Sequence, residues 1–504
     1  MKVALISVDP DVWAVGTKIL SSVLKKQGHE VQMILLMVKS SSDEYNDNEL
    51  DELADLVKDA DIIGISLMSI SLHRAVQVTL RLKKDFSIPI LWGGIHPTMF
   101  PEESLQYADM ICKGEGEQAL PELINKMESG QEYFDTKGMW FKRGEEIIEN
   151  EMLPLIQDLD SVPFFDYDYD THFVLHEGHL CRMDLDLLDK YSRGYYRSYA
   201  TRGCPFGCTY CYNAAINSMY PGQKVLRKRS VDNIINEFSE IKERFPIITR
   251  FHLFDDCFTM LPDETIREFC TKYKKTIGMP LNVPGMSPST LNREKMAMLI
   301  DAGTVNVRMG IQTGSESTKQ LYKRKFSNEH LLEVAKMINE HKDKIELPVY
   351  DLIVDNPYET DEDVIDTLMF MSKLPVPFYI NLHSLFLFPG TPLYETVKQD
   401  GRLDEFARDF RSEEITGSFE VTYWNKLFKL IHTFAIQSKT ISPFKMFLLT
   451  NKIMRITRLS LLLYIVLNVF SGSSPLKKVK GMLTNVLSDL SAGNVSSLLK
   501  RFKT

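Results

Sequence analysis

From residue 1 to about residue 127, short apolar runs alternate with stretches whose apolar residues recur every three or four positions. The runs 3–8, 31–36, 62–66 and 88–92 predict strands, and 16–27, 50–58 and 73–85 predict helices between them. Strands that alternate with helices imply βαβ units around a parallel sheet. Ligands bind such sheets beyond the carboxyl ends of the strands, so the loops after Val8, Ser66 and Trp92 are the places to look.

The pattern then changes. Met139-Trp140-Phe141 and Ile147-Ile148 flank Arg143-Gly144-Glu145, which predicts a hairpin, and the run 153–169 is rich in proline and aspartate, as linkers are. A second alternating series begins near Tyr195, with candidate strands at 199–202, 250–254, 281–283, 305–309, 347–354 and 378–385. Helical patterns at 231–244, 292–302, 328–342 and 361–374 separate them, which predicts a partial (β/α)6 barrel. Beyond Gly401 the residues read as helices only. The expected division of this α/β chain is 1–135, a linker with a hairpin at 136–194, the barrel at 195–401 and a helical region at 402–504.

Bulk properties narrow the function. A chain of 504 residues that is 44% hydrophobic suits about three domains. A net charge of -9 and a pI near 5.8 argue against a dedicated nucleic-acid binder. Residues 1–9 read as a buried strand, not as a secretory leader, so the expected compartment is the cytoplasm. Seven cysteines are a sparse, odd set for a chain this long, and three of them crowd together, which suits a metal site better than a disulfide framework.

Those three stand in Cys204-Pro205-Phe206-Gly207-Cys208-Thr209-Tyr210-Cys211, directly after a predicted strand. Thiolates suit iron-sulfur clusters, and three of them leave one iron of a cubane without a protein ligand. The competing reading is a zinc site or free thiols; Cys181, Cys257 and Cys270 have no helpful spacing for a fourth ligand. The spacing C-x3-C-x2-C after the first strand of a βα series resembles the signature of the radical S-adenosylmethionine (SAM) superfamily. That resemblance implies a 4Fe-4S cluster on Cys204, Cys208 and Cys211, whose open iron chelates SAM and whose electron splits it to a 5'-deoxyadenosyl radical. Tyr210, within the same loop, is a candidate cofactor contact. Phe254-Asp255-Asp256 looks like the place where family members grip the SAM amino group, so Asp255 and Asp256 are candidate contacts. The segment 310–316 is similar to the family's segment near ribose and carboxylate, with Gln312 the candidate contact. Segments 351–363 and 388–394 resemble the endings of the fifth and sixth strands. Each of these also reads as ordinary turn or cap chemistry.

The first domain resembles the Rossmann-like, cobalamin-binding module of the cobalamin-dependent branch of that family. The matching segments are Gly93-Gly94-Ile95-His96-Pro97-Thr98 and Lys113-Gly114-Glu115-Gly116-Glu117, where glycines let backbone approach a bulky ligand. The resemblance makes Gly93, Gly94, His96, Pro97, Thr98, Gly114, Glu115, Gly116 and Glu117 candidate cobalamin contacts, with Ser66 and Ser69 in the neighbouring loop. Modules that ligate cobalt carry Asp-x-His-x-x-Gly, whereas this chain reads Asp11-Val12-Trp13-Ala14-Val15-Gly16. Asp11, Trp13 and Gly16 remain candidate contacts, but indole has no free basic nitrogen, so Trp13 walls the lower face or packs in the core. The expectation is cobalamin with no protein nitrogen on cobalt.

The apolar run 459–470 is too short to span a bilayer, which takes about 20 residues. With Lys452, Arg455, Arg458, Lys477, Lys478 and Lys480 around it, it suits either a membrane-surface helix or a helix buried against the barrel. A hydrophobic small-molecule substrate would connect both readings.

The resemblance implies a methyltransferase acting on an unactivated carbon through methylcobalamin, fed by a one-electron reductant such as flavodoxin or ferredoxin. Two alternatives stay open. One is an enzyme with the same cofactors that catalyses ring contraction or oxidative cyclisation; the other is a cobalamin-binding sensor or carrier. The residues do not identify the substrate.

Overall fold

The computed structural model describes residues 1–10, 12–38, 43–406 and 422–441, together with 446 and 450. Strands β1 (Lys2–Ser7), β2 (Glu30–Leu35), β3 (Ile62–Ser66), β4 (Ile90–Gly93) and β5 (Met110–Cys112) form a parallel sheet in the order β2-β1-β3-β4-β5. Their side chains are buried on both faces by the crossover helices, as the continuous apolar runs require. Helix Val15–Lys26 is one example, burying Ile19 and Leu24.

The stretch 136–194 is more than the linker the sequence suggests. The hairpin of β6 (Met139–Arg143) and β7 (Glu146–Glu149) extends one edge of the sheet beyond β5. A second hairpin, β8 (His172–His176) and β9 (His179–Arg182), covers the other edge beside β2, which gives nine strands in all. Both open edges of the parallel sheet are thereby paired.

The second domain starts with β10 (Tyr195–Ser198), four residues earlier than the sequence pattern places it. Residues 199–202 have left the sheet: β11 (Thr201–Arg202) pairs instead with β12 (Arg227–Lys228) in a small antiparallel ribbon. The cause is Asp255, whose carboxylate accepts bonds from the backbone N–H groups of Ala200 and Thr201 and so takes the donors a ladder would need. The barrel continues through β13 (Arg250–Leu253), β14 (Leu281–Met286), β15 (Thr304–Gln312), β16 (Val349–Val354) and β17 (Tyr379–Ser384). All six strands run parallel in the order β10-β13-β14-β15-β16-β17, an open (β/α)6 barrel. Side-chain caps start the outer helices; Ser230, Asn292 and Ser327 each accept the N–H three residues on, and Thr360 forms a capping box with Asp363.

The largest hydrophobic core belongs to both domains. Trp13, Met33, Leu35 and Val174 of the first join the barrel residues Tyr196, Phe238 and Phe251. Beyond the barrel, helix Tyr423–Ile436 packs on its last strand, where the N–H of Ile380 donates to His432 Nδ1 at 3.0 Å. The run 459–470 and Asp11 lie outside the described residues. Among the described residues no helix is long and apolar enough to cross a membrane.

Candidate functional site

A parallel sheet of order 2-1-3-4-5 reverses direction between β1 and β3, and a crevice opens at the carboxyl ends of the strands at that point. A cleft of about 420 Å³ lies there. Its first wall comes from Leu5 of β1, Gly64 and Ser66 of β3, Gly16 and Thr17 at the start of the first helix, and the loops at Gly93-Gly94 and 114–117. The glycines keep this wall open. A Cβ on Gly94 would stand 2.7 Å from the carbonyl oxygen of Leu67, and one on Gly114, whose φ is +91°, would stand 2.4 Å from the Tyr220 hydroxyl. Thr98 ties the two loops together, donating to the Gly94 carbonyl at 2.8 Å and accepting from the Gly114 N–H at 3.1 Å. This cradle suits the slender tail of a large cofactor.

The opposite wall belongs to the barrel: Ser198, Tyr199, Arg202, Gly203, Phe254 and Asp256. Next to Gly203 begins the cysteine loop, which three contacts hold in place. Thr209 Oγ1 donates to the Leu321 carbonyl at 2.7 Å, the Leu393 N–H donates to the Thr209 carbonyl at 2.9 Å, and Tyr210 meets Tyr322 edge to face at 4.7 Å. The Cys211 N–H donates to the Cys208 carbonyl at 3.1 Å, and Asn217 donates to the Cys204 carbonyl at 2.8 Å. Burial pushes the Cys204 thiol up to about 12 and also raises that of Cys211. Bound iron would draw off such protons, since a metal takes the thiolate.

Among the described residues no three His, Cys, Asp or Glu side chains converge on a single-ion site. Three thiols on one eight-residue loop, soft donors that would leave one iron of a cubane open, are a donor set that fits a cluster. Cys257 is buried beside the loop, and its thiol, raised to about 12 by burial, also feels the charge of Cys204.

The predicted contacts separate into those that face the cleft and those that build it. Gly16, Ser66, Gly93, Gly94, Gly114, Gly116 and Asp256 line it. Burial raises the Asp256 carboxyl, and its charge reaches both Cys204 and Cys211. Asp255 is the correction. It is buried, with both oxygens occupied by Ala200, Thr201 N–H and Thr201 Oγ1, so it anchors the approach to the cysteine loop. Gln312 adopts φ +70° at the end of β15, and its amide folds back over Gly310.

Glu115 and Glu117 border the cleft, but their carboxylates face the barrel's arginines. Glu115 accepts from Arg227 at 2.7 and 2.8 Å, and Glu117 pairs with Arg202 at 2.6 Å. His96 is wholly buried, stacked on Phe100 and 3.1 Å from Ser69 Oγ, away from the cleft. Ser69 in turn meets the Tyr212 hydroxyl at 3.1 Å, a bridge from the first domain to the helix after the cysteines. Pro97 is buried in the short helix Ile95–Met99. Trp13 packs edge to face on Tyr196 at 6.2 Å and borders a different, larger cavity.

Sequence reasoning missed Arg324. Its Nη1 donates to Cys208 Sγ at 3.7 Å and its Nη2 to the Gly310 carbonyl at 2.6 Å. The only local signal is the basic run Lys323-Arg324-Lys325, which reads as an exposed turn.

Comparison with known proteins agrees with this geometry. The family model described as the radical SAM superfamily matches residues 198–371, and that of the B12 binding domain matches residues 1–124. An uncharacterised methyltransferase of Pyrococcus horikoshii is 25% identical over 388 residues, 75% of this chain and 77% of that protein. An anaerobic magnesium-protoporphyrin IX monomethyl ester cyclase of Synechocystis is 30% identical over 154 residues, 28% of this chain and 27% of the cyclase. Among solved structures, the radical SAM methyltransferase TsrM of Kitasatospora setae superposes with a TM-score of 0.63 at 17% identity, over 80% of this chain and 76% of that one. With a cysteine loop for a 4Fe-4S cluster and SAM, and a glycine cradle for cobalamin in front of it, the chain belongs to the radical SAM superfamily and to its cobalamin-dependent branch.

Proposed function

We propose that this chain is a methyltransferase acting on an unactivated carbon of a small molecule. When bound, the cluster with SAM supplies a carbon-centred radical, and cobalamin supplies a transferable methyl group. The observation that carries this reading is the shared cleft: the glycine loops of one domain and the Gly203–Asp256 wall of the other bound a single space. Two cofactors held on its two sides would face one substrate.

The residues have distinct tasks in this reading. Cys204, Cys208 and Cys211 hold the cluster. Asp256 offers a carboxylate to the SAM ammonium, a charge-assisted bond. Gln312 stands at the end of β15, where its amide would meet the ribose or carboxylate of SAM. Asp255, Thr209 and Arg324 fix the loop so that the cysteines keep their spacing. The Glu115–Arg227 and Glu117–Arg202 pairs close the domains on each other and exclude water from the space between.

The relationship to a methyltransferase along three quarters of both chains supports methyl transfer. Relationships to cyclases, 30% identical over 154 residues in one and 22% over 409 residues in another, favour a second reading, an oxidative cyclisation without methyl transfer. Mass spectrometry of the product separates them: a gain of one methylene unit per turnover supports transfer, and loss of hydrogen alone supports cyclisation. All seven cysteines are free, which suits a reducing cytoplasm where flavodoxin or ferredoxin would deliver the electron.

A further inference from the structure

The inner face of the barrel has a character of its own. Along β15 the side chains of Val307, Met309 and Ile311 enter the apolar core, so period-two alternation turns Asn306, Arg308, Gly310 and Gln312 inward. The same alternation turns Arg197, His252 and Asn282 inward from β10, β13 and β14, and these border a cavity of about 1210 Å³ together with Asn306. A lumen made for an apolar molecule would present leucine and valine here.

Arg308, two residues beyond Asn306 on the same inward face of β15, is aimed. Its Nε donates to both oxygens of Asp351, at 2.9 and 2.8 Å, and its Nη2 lies 2.8 Å from the same carboxylate. Asp351 is held in turn by Asn381 Nδ2 at 2.9 Å, and His383 Nε2 lies 3.3 Å from both Asp351 and Arg308. Burial pushes the Asp351 carboxyl up, but the bonds from His383 and Arg308 outweigh it and keep it below the usual range. The Arg308 side chain nevertheless remains 40% exposed while Asp351 is 12% exposed. The pair therefore shows the lumen a guanidinium edge, its Nη1 without a partner among the described residues, and hides the carboxylate behind it. Burial, with the charges of Arg197 and Arg308, pushes His252 down to about 4, so the neighbouring imidazole stays neutral.

We propose that Arg308, oriented by Asp351, anchors an anionic oxygen group on the substrate, and that this barrel takes a polar, negatively charged small molecule. A guanidinium held by a second carboxylate pays little ordering entropy when it binds an oxyanion. Arg308 lies two residues below Gly310 on the inward face of β15, roughly 7 Å at strand rise, so the anchor sits beneath the level where Arg324 reaches the cysteine loop. This differs from the hydrophobic substrate that would connect the two readings of the run 459–470, which lies outside the described residues. It rests on the reading that the lumen is the substrate chamber.

The test uses the full chain, reconstituted with cluster and cobalamin without oxygen, and three probes of similar size: acetate, methylphosphonate and acetamide. Binding is read by line broadening of the probe methyl signal. At least one anion should bind tenfold or more tightly than acetamide, and the better of the two anions identifies the head group as carboxylate or phosphate-like. Arg308→Gln should abolish that preference. Arg308→Lys, which keeps the charge and loses the fork, should weaken it severalfold, while the surface variant Arg267→Gln should leave it intact. Equal binding of acetate, methylphosphonate and acetamide by the unaltered protein overturns the proposal, as does an undiminished anion preference in Arg308→Gln and Arg308→Lys. None of these readouts depends on methyl transfer, whose own failure would appear as an unmethylated product.

Discussion

Arg324 and Cys208 are joined by a hydrogen bond of 3.7 Å from Nη1 to Sγ, and the other end of the same guanidinium is fastened to the Gly310 carbonyl at 2.6 Å. A fixed cation on a thiolate ligand stabilises the extra electron of a reduced cluster, since hydrogen bonds to sulfur and net charge set the potential. Arg324→Gln should therefore lower the reduction potential. EPR-monitored titration should show the reduced-to-oxidised ratio at fixed potential falling about tenfold, equivalent to about 59 mV for one electron. An unchanged midpoint would show that the guanidinium does not act on the cluster.

The glycine cradle makes a separate demand. Gly114→Ala combines a φ of +91° with a Cβ 2.4 Å from the Tyr220 hydroxyl, so the loop must move. Backbone strain alone is about 1–3 kcal/mol. The variant should copurify with less than a tenth of the cobalamin per iron found in the unaltered protein, measured by absorbance and metal analysis. Full cobalamin content would place the tail elsewhere.

The Glu115–Arg227 pair crosses the domain boundary with Arg227 only 5% exposed. Glu115→Gln leaves that buried cation unneutralised, a change that costs on the order of 3–5 kcal/mol when one partner of a buried pair is removed. Thermal unfolding should begin earlier, and limited proteolysis should cut between the domains. The Glu115→Gln, Arg227→Met double variant should be less destabilised than the two single changes added together.

Glu359 gives the fold a pH dependence. Burial pushes its carboxyl up to about 7, with bonds from Thr318 and Thr313 offsetting part of the rise. A carboxyl raised on folding holds its proton more tightly in the folded state, so its contribution is intact below about 4.5 and lost as pH rises through about 7. Glu359→Gln, which mimics the neutral acid, should match the unaltered protein at pH 4.5. It should exceed it above pH 7 by at most about 3 kcal/mol in denaturant titrations. Identical stability at both pH values would refute this.

Much of the fold was legible because parallel strands buried on both faces write continuous apolar runs; β1 to β4 fall within two residues of their predicted positions. The cysteine loop was legible for a chemical reason, since three thiols so closely spaced have few uses. The docking of β8 and β9 against β2 was not, because edge pairing between residues 33–35 and 172–174 leaves no local signature. The four-residue error in the first barrel strand has a single cause. Tyr195-Tyr196-Arg197-Ser198 and Tyr199-Ala200-Thr201-Arg202 are equally strand-like, and only Asp255, some 55 positions away, decides between them. Asp255 and Asp256 are neighbours of the same type with opposite roles, one walled in by backbone donors and one open to the cleft; that difference exists only in three dimensions.

The most direct measurement is reduction of the oxygen-free, reconstituted protein with SAM, followed by quantitation of 5'-deoxyadenosine alongside Mössbauer and EPR spectra of the metal centre. The expected result is a 4Fe-4S cluster with one distinct iron that cleaves SAM, and a Cys208→Ala variant that has lost both the cluster and the cleavage. A zinc-only protein, or an iron centre saturated by four side chains with no adenosine released, would contradict the assignment.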